Sequence, residues 1–179
     1  MSSIACAAEP MVTSTAGPRM LVLCYSRSGT TRIVGQAIAT ALGADFEELQ
    51  VVGEPAGLRS YARCGLDIIF RRKVKLAPLA HNPATYAAVV IGTPVWMARM
   101  SSPVRTFLKQ SAAKLPPAAL FLTHGGTARD QVFAEMEKLL GRTPIGRVAV
   151  NEREFSRREF AGKVAAFVGE MKRATMVTV

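Results

Sequence analysis

Acidic residues are scarce in this 179-residue chain: 13 Asp and Glu stand against 23 Lys and Arg, a formal charge of +10 at pH 7. That balance implies attraction to phosphates, acidic partners or anionic surfaces, without choosing among them. Aromatics are also few, at 7%, with one tryptophan, and there are only two histidines. Three cysteines, Cys6, Cys24 and Cys64, form neither a disulfide framework nor a close metal-ligand pair, so free thiols in a reducing compartment and no metal site are expected. No apolar run approaches the ~18 residues of a membrane span. The start lacks a basic region ahead of an apolar stretch, and Glu9 and Pro10 interrupt its small residues, so the expected location is cytoplasmic. Neither GxxxxGK[ST] nor GxGxxG occurs, which removes both usual nucleotide cradles. Arg59, Arg63, Arg71, Arg72, Lys73 and Lys75 cluster without zinc-finger spacing or an aromatic RNA-binding motif. They read as a solvated helix face, and no specific nucleic acid is expected.

What is present is a 49% hydrophobic composition in a length suited to one domain. Residues 1–18 read as a loose extension ending in Gly17-Pro18, and 19–179 as the domain. Met20–Tyr25 is a short continuous apolar run, the mark of a parallel strand buried on both faces. From Thr31 the period changes: Ile33, Ala37 and Ala41, with Val34, Ile38 and Leu42, predict one apolar helical stripe closed by Gly43 at the C-cap. Phe46–Val52 mixes acids with apolar residues, as an edge strand does, and a helix is expected over Tyr61–Arg72. Tyr86–Ile91 and Ala118–Thr123 are further buried runs, and Arg147–Val150 a shorter last strand. Ser101-Ser102-Pro103 predicts a capped helix with Val104, Phe107 and Leu108 inside. Val132, Met136, Leu139 and Leu140 mark the next helix. Ser156-Arg157-Arg158-Glu159 reads as a capping box opening the last helix, with Phe160, Val164, Phe167, Val168 and Met171 inward. Strand and helix alternate five times, which implies a mostly parallel sheet with helices on both faces.

In such a sheet, ligands bind beyond the carboxyl ends of the strands where the strand order reverses. The loop after the first strand, Ser26-Arg27-Ser28-Gly29-Thr30-Thr31, offers hydroxyls, a glycine and helix N-terminal amides suited to a phosphate. The same residue types also serve simple capping. A cysteine phosphatase built on Cys24 fails on spacing, because Thr30 stands where a C-x5-R loop needs its arginine. After the third run come Thr93, Pro94, Val95, Trp96 and Met97, placing the tryptophan where its flat side chain can cover a ring, or be partly buried in the core. After the fourth come Thr123, His124, Gly125 and Gly126, where glycines allow close backbone approach. His124 has either a local partner or a role toward a ligand.

Three motifs in order, Ser26 to Thr31, Ile91 to Trp96 with Ser101 to Arg105 following, and Phe121 to Gly126, resemble the flavodoxin family. Its smaller bacterial and archaeal FMN-binding oxidoreductase relatives are the nearest likeness, over Met20 to Lys172. The resemblance implies a doubly wound five-stranded parallel α/β sheet of order 2-1-3-4-5. It implies FMN as cofactor, with its phosphate on Ser26, Arg27, Ser28, Gly29, Thr30 and Thr31. The ring would lie between Thr93 to Met97 and Thr123 to Gly126. The flavin would carry the chemistry, so no catalytic side chain is assigned.

The chain departs from the electron carriers of that family in being basic, in lacking a second loop aromatic after Gly125-Gly126, and in having Met97 rather than glycine after Trp96. In the carriers, a peptide flip after the tryptophan stabilises the one-electron-reduced flavin, and a non-glycine residue hinders it. These departures favour an NAD(P)H-dependent oxidoreductase reducing a quinone, flavin or similar small acceptor. The alternative is a one-electron carrier docking to a redox partner protein. Either could form a homodimer.

Overall fold

The structure, a computed structural model, describes residues 19–53 and 74–176. The expected extension 1–18 and the expected helix at Tyr61–Arg72 lie outside the described residues. The elements are β1 (Met20–Cys24), α1 (Thr30–Leu42), β2 (Asp45–Glu48), β3 (Ala88–Trp96), β4 (Arg99–Met100), α2 (Ser102–Ser111), β5 (Ala118–His124), α3 (Arg129–Leu140), β6 (Arg147–Asn151), α4 (Glu152–Ser156) and α5 (Ala161–Met176). β2, β1, β3, β5 and β6 lie side by side in that order, each neighbouring pair parallel. Counting those five strands alone, this is the expected 2-1-3-4-5 order. The sixth strand, β4, was not expected; it folds back antiparallel on the end of β3.

Successive side chains of a strand point to opposite faces, so each apolar run feeds two cores. Leu21, Leu23, Ile91, Leu120 and Leu122 pack with Val104, Phe107 and Leu108 of α2 and with Val132, Phe133 and Met136 of α3. Val22, Val90, Phe121, Val148 and Val150 pack with Val34 and Ile38 of α1 and with Val164, Phe167 and Met171 of α5. Helices therefore cover both faces, which is why the central runs are continuously apolar rather than alternating. Leu21, Ile38 and Leu120 are fully buried; truncating any of them to alanine costs about 2–5 kcal/mol.

Three local expectations are corrected. The stripe on α1 is narrower than expected: Val34 and Ile38 are buried, but Ile33 is 48% exposed and Ala41 is exposed. Each residue advances about 100° around the helix, and the arc facing the sheet runs through Thr31, Val34, Gly35, Ile38 and Ala39, which leaves the row of Ile33 and Ala41 on the outer side. Ser101 stands at the N-cap position of α2 but makes no capping bond. Its amide instead donates to Thr93 Oγ1 at 3.0 Å, and its hydroxyl lies 3.1 Å from the same atom. The capping box is not at Ser156–Glu159. Asn151 and Glu154 form it: Asn151 Oδ1 accepts from the Arg153 amide and Glu154 Oε2 from the Asn151 amide, both at 2.9 Å. Ser156 closes that short helix by donating to the Glu152 carbonyl at 2.8 Å, and Phe160 stacks on Phe155 in the turn before α5.

Candidate functional site

β1, β3 and β5 are adjacent and parallel, so the segments that follow them emerge at one end of the sheet, and the strand order reverses between β1 and β3. The first of these segments ends at Gly29, whose φ of +92° marks the start of α1. Only glycine adopts that geometry without strain. α1 opens with no side-chain cap and no acidic residue in its first turn, so its first amides and the positive end of its dipole are left open. Ser28 Oγ and Thr30 Oγ1 lie 3.4 Å apart at the surface. Among the described residues Ser26 Oγ is buried with no hydrogen-bond partner, which is the condition of an atom awaiting one. Arg27 is half-buried beside it. Burial pushes the Cys24 thiol far above its ordinary range, so it is not a thiolate nucleophile.

Thr31 belongs to the frame rather than to the rim. Its hydroxyl is 2.8 Å from that of Thr123, tying the start of α1 to the end of β5. Thr93 and Pro94 are likewise buried, with Thr93 engaged by Ser101. The segment from Thr93 to Trp96, expected as a loop, is strand: β3 continues through it and reverses over Met97-Ala98 into β4, with Trp96 opposite Arg99. Both turn residues have positive φ, 49° and 58°, as a type I′ hairpin turn requires, although neither is glycine. Each such residue costs roughly 1–2 kcal/mol. Met97 at the tip is 65% exposed, and Trp96 and Val95 are half-buried. The Trp96 ring meets Tyr25 edge-on, with centroids 6.2 Å apart and an interplanar angle of 82°.

Past β5, Gly125 and Gly126 are exposed. No hydrogen bond engages either amide among the described residues. His124 is only 8% exposed, and its Nδ1 lies 2.5 Å from the Gly126 carbonyl. It therefore has the local partner that one of its two readings required.

The sequence reading gave no site role to three residues of this region. Tyr25, the aromatic end of the first apolar run, meets the Trp96 ring edge-on. Glu152 brings a carboxylate to within 2.8 Å of where a Gly125 Cβ would stand. Ser102 Oγ is buried at the start of α2 with no partner among the described residues. Arg105, part of the quoted motif, points away from the rim, pairing with Glu135 of α3 at 3.1 Å. A separate shallow groove of about 330 Å³ runs along β6, lined by Arg129, Arg147 and Lys163 among others. Each of those cations already has its own carboxylate. Among the described residues no cluster of His, Cys, Asp or Glu could hold a metal ion, and no helix is long and apolar enough to cross a membrane.

No protein-family model matches the chain, and no curated protein matches it. Solved structures do. A flavoprotein from Lactobacillus acidophilus, solved in complex with FMN, is 23% identical, with a TM-score of 0.61 over 79% of this chain and 98% of that one. A Bacteroides uniformis protein is 18% identical, with a TM-score of 0.66 over 86% and 99%. A WrbA-like flavodoxin from Agrobacterium tumefaciens is 14% identical, with a TM-score of 0.53 over 88% and 99%. Together with the strand order and the helices on both faces, these likenesses establish that the chain has a flavodoxin-like fold.

Proposed function

We propose that the chain binds FMN and acts as an NAD(P)H-dependent oxidoreductase that reduces a quinone, a free flavin or a similar small acceptor. The observation that carries this reading is the open start of α1, where the segment from Ser26 to Thr30 holds uncapped amides, two surface hydroxyls and a Ser26 Oγ with no partner among the described residues. A dianionic phosphate would offer acceptors to such amides and hydroxyls. The residues present fit the rest of the group as well. Trp96, held edge-on by Tyr25, offers a half-exposed face for the ring, and Gly125-Gly126 offer free amides for its edge. The Lactobacillus flavoprotein carries FMN on the same fold, which supports the assignment. Bound FMN would supply the redox chemistry by accepting hydride and passing electrons on; the chain would bind, orient and shield it.

The turn at Met97-Ala98 favours the enzyme over a one-electron carrier that docks to a partner protein. Flipping the peptide between these residues would convert a type I′ turn to II′, whose first position is dominated by glycine. Met97 stands there, so the hairpin is held in the one orientation seen. The test is direct. Purified protein should be yellow, release FMN on denaturation, and lose its visible flavin absorbance when NADH or NADPH is added without oxygen. Trp96→Ala should restore much of the quenched flavin emission. A protein that neither retains nor rebinds FMN ends the reading; flavin that ignores both nicotinamides but is reduced by a protein donor returns the carrier.

A further inference from the structure

Among the described residues His124 makes one hydrogen bond, and that bond determines its tautomer. A carbonyl oxygen only accepts, so the 2.5 Å contact with Gly126 O requires the proton on Nδ1. Protonating the other ring nitrogen would leave that bond in place. Among the described residues the space beside Gly126 is open: a Cβ built on it would meet nothing within 4 Å, and Gly125, Gly126 and Thr127 are all exposed. Two successive glycines leave this loop with more conformational freedom than any other residue pair would. Among the described residues, the contact from His124 is the one hydrogen bond on the carbonyl of the peptide between Gly126 and Thr127.

That peptide is planar and trans, so its N–H points opposite to its C=O. With the carbonyl drawn inward to a nearly buried ring, the Thr127 N–H is turned outward. We propose that His124 is a positioning residue whose Nδ1–H fixes the Gly126–Thr127 peptide, so that the Thr127 amide donates to the edge of the bound ring. This rests on the FMN reading and adds Thr127 to the site. His124 does not touch the ligand; it acts through the glycine loop.

Two measurements test it. In flavin-free wild-type protein, long-range 1H–15N correlation of the imidazole should show the proton on Nδ1. A proton on Nε2 alone overturns the contact, whatever the ligand. Binding then tests the role. Asparagine carries its amide nitrogen on Cγ, as histidine carries Nδ1, whereas leucine has no donor. His124→Leu should weaken FMN and riboflavin alike by about tenfold, since the loop would serve the ring and not the phosphate. His124→Asn should stay within about threefold of wild type, and the Thr127 amide proton should shift on flavin binding in wild type and in this variant. Equal binding by wild type and His124→Leu, or an Asn variant as weak as the Leu variant while its flavin-free spectrum shows an intact fold, overturns the inference and leaves FMN binding standing. A wild-type chain that binds neither flavin overturns the FMN reading and, with it, the role given to Thr127.

Discussion

The starts of α1 and α4 occupy equivalent places, each just past the carboxyl end of a parallel strand, yet they are finished in opposite ways. α4 closes itself: Asn151 and Glu154 cap each other's neighbourhood reciprocally, and Glu152 and Glu154 place negative charge in its first turn. α1 opens on Gly29 in the left-handed region, with no capping side chain and no acid. An uncapped helix start costs about 1 kcal/mol relative to a capped one, so the omission at α1 is informative. One turn stabilises the fold, and the other leaves its amides for something from outside. Net charge alone would not have separated them, because the cations of this chain are spread over both regions.

The strongest way to break the contrast is to give α1 the character of α4. Thr30→Asp puts a carboxylate in its first turn, where it complements the dipole and should raise the stability of the flavin-free protein by about 0.5 kcal/mol. The same charge should repel a phosphate and weaken FMN at least about a hundredfold, leaving riboflavin within about threefold. Titrating both ligands settles the matter: equal losses would mean that no phosphate sits there. The double change Ser28→Ala with Thr30→Ala is milder. It removes the hydroxyls but keeps the amides, so FMN should lose about tenfold and riboflavin little.

The parallel sheet was legible because apolar runs and helical periods are local signals; its strand order came only from the resemblance carried by the three loop motifs. The candidate loops were legible for the same reason: each directly follows such a run. What the sequence could not show were the consequences of pairing. β4 is two residues long and exists only because β3 overruns the sheet and a turn without glycine reverses it. Thr31 was expected in the phosphate loop and Thr93 and Thr123 beside the ring, and the sequence could not show that Thr31 bonds Thr123 and that Thr93 bonds Ser101. Ser156 and Asn151 both fit a capping pattern five residues apart. The strand end at Asn151 decided between them, and no residue type announces a strand end.

The α4 side of the contrast is sharpened by removing its cap. Asn151→Ala should lower stability by about 1 kcal/mol, a fall of roughly 2–4 °C in melting temperature for a domain of this size. The ratio of FMN to riboflavin affinity should not change, since α4 would hold no phosphate. A variant that lost FMN selectively would place the anion site at the wrong helix.

The smallest effect expected is the pH dependence of that same cap. The Glu154 carboxyl is held below its ordinary value of 4.5, first by the hydrogen bond from Lys163 and then by the Asn151 amide. A carboxyl depressed in the folded state contributes stability that is fully present above the unfolded value and is lost as pH falls through the folded one. The capped end of α4 should therefore hold from neutral pH down to about 5 and weaken as the pH drops below 4.5. Glu154→Gln keeps an acceptor for the Asn151 amide but cannot titrate, so the stability gap between wild type and variant should shrink as pH falls from 6 to 3. The gap should be modest and salt-sensitive, because Lys163 is 44% exposed. Denaturant melts at several pH values measure it, and a gap that widened toward acid would contradict the assigned pairing. The start of α1, with no carboxylate in its first turn, should contribute nothing to this slope.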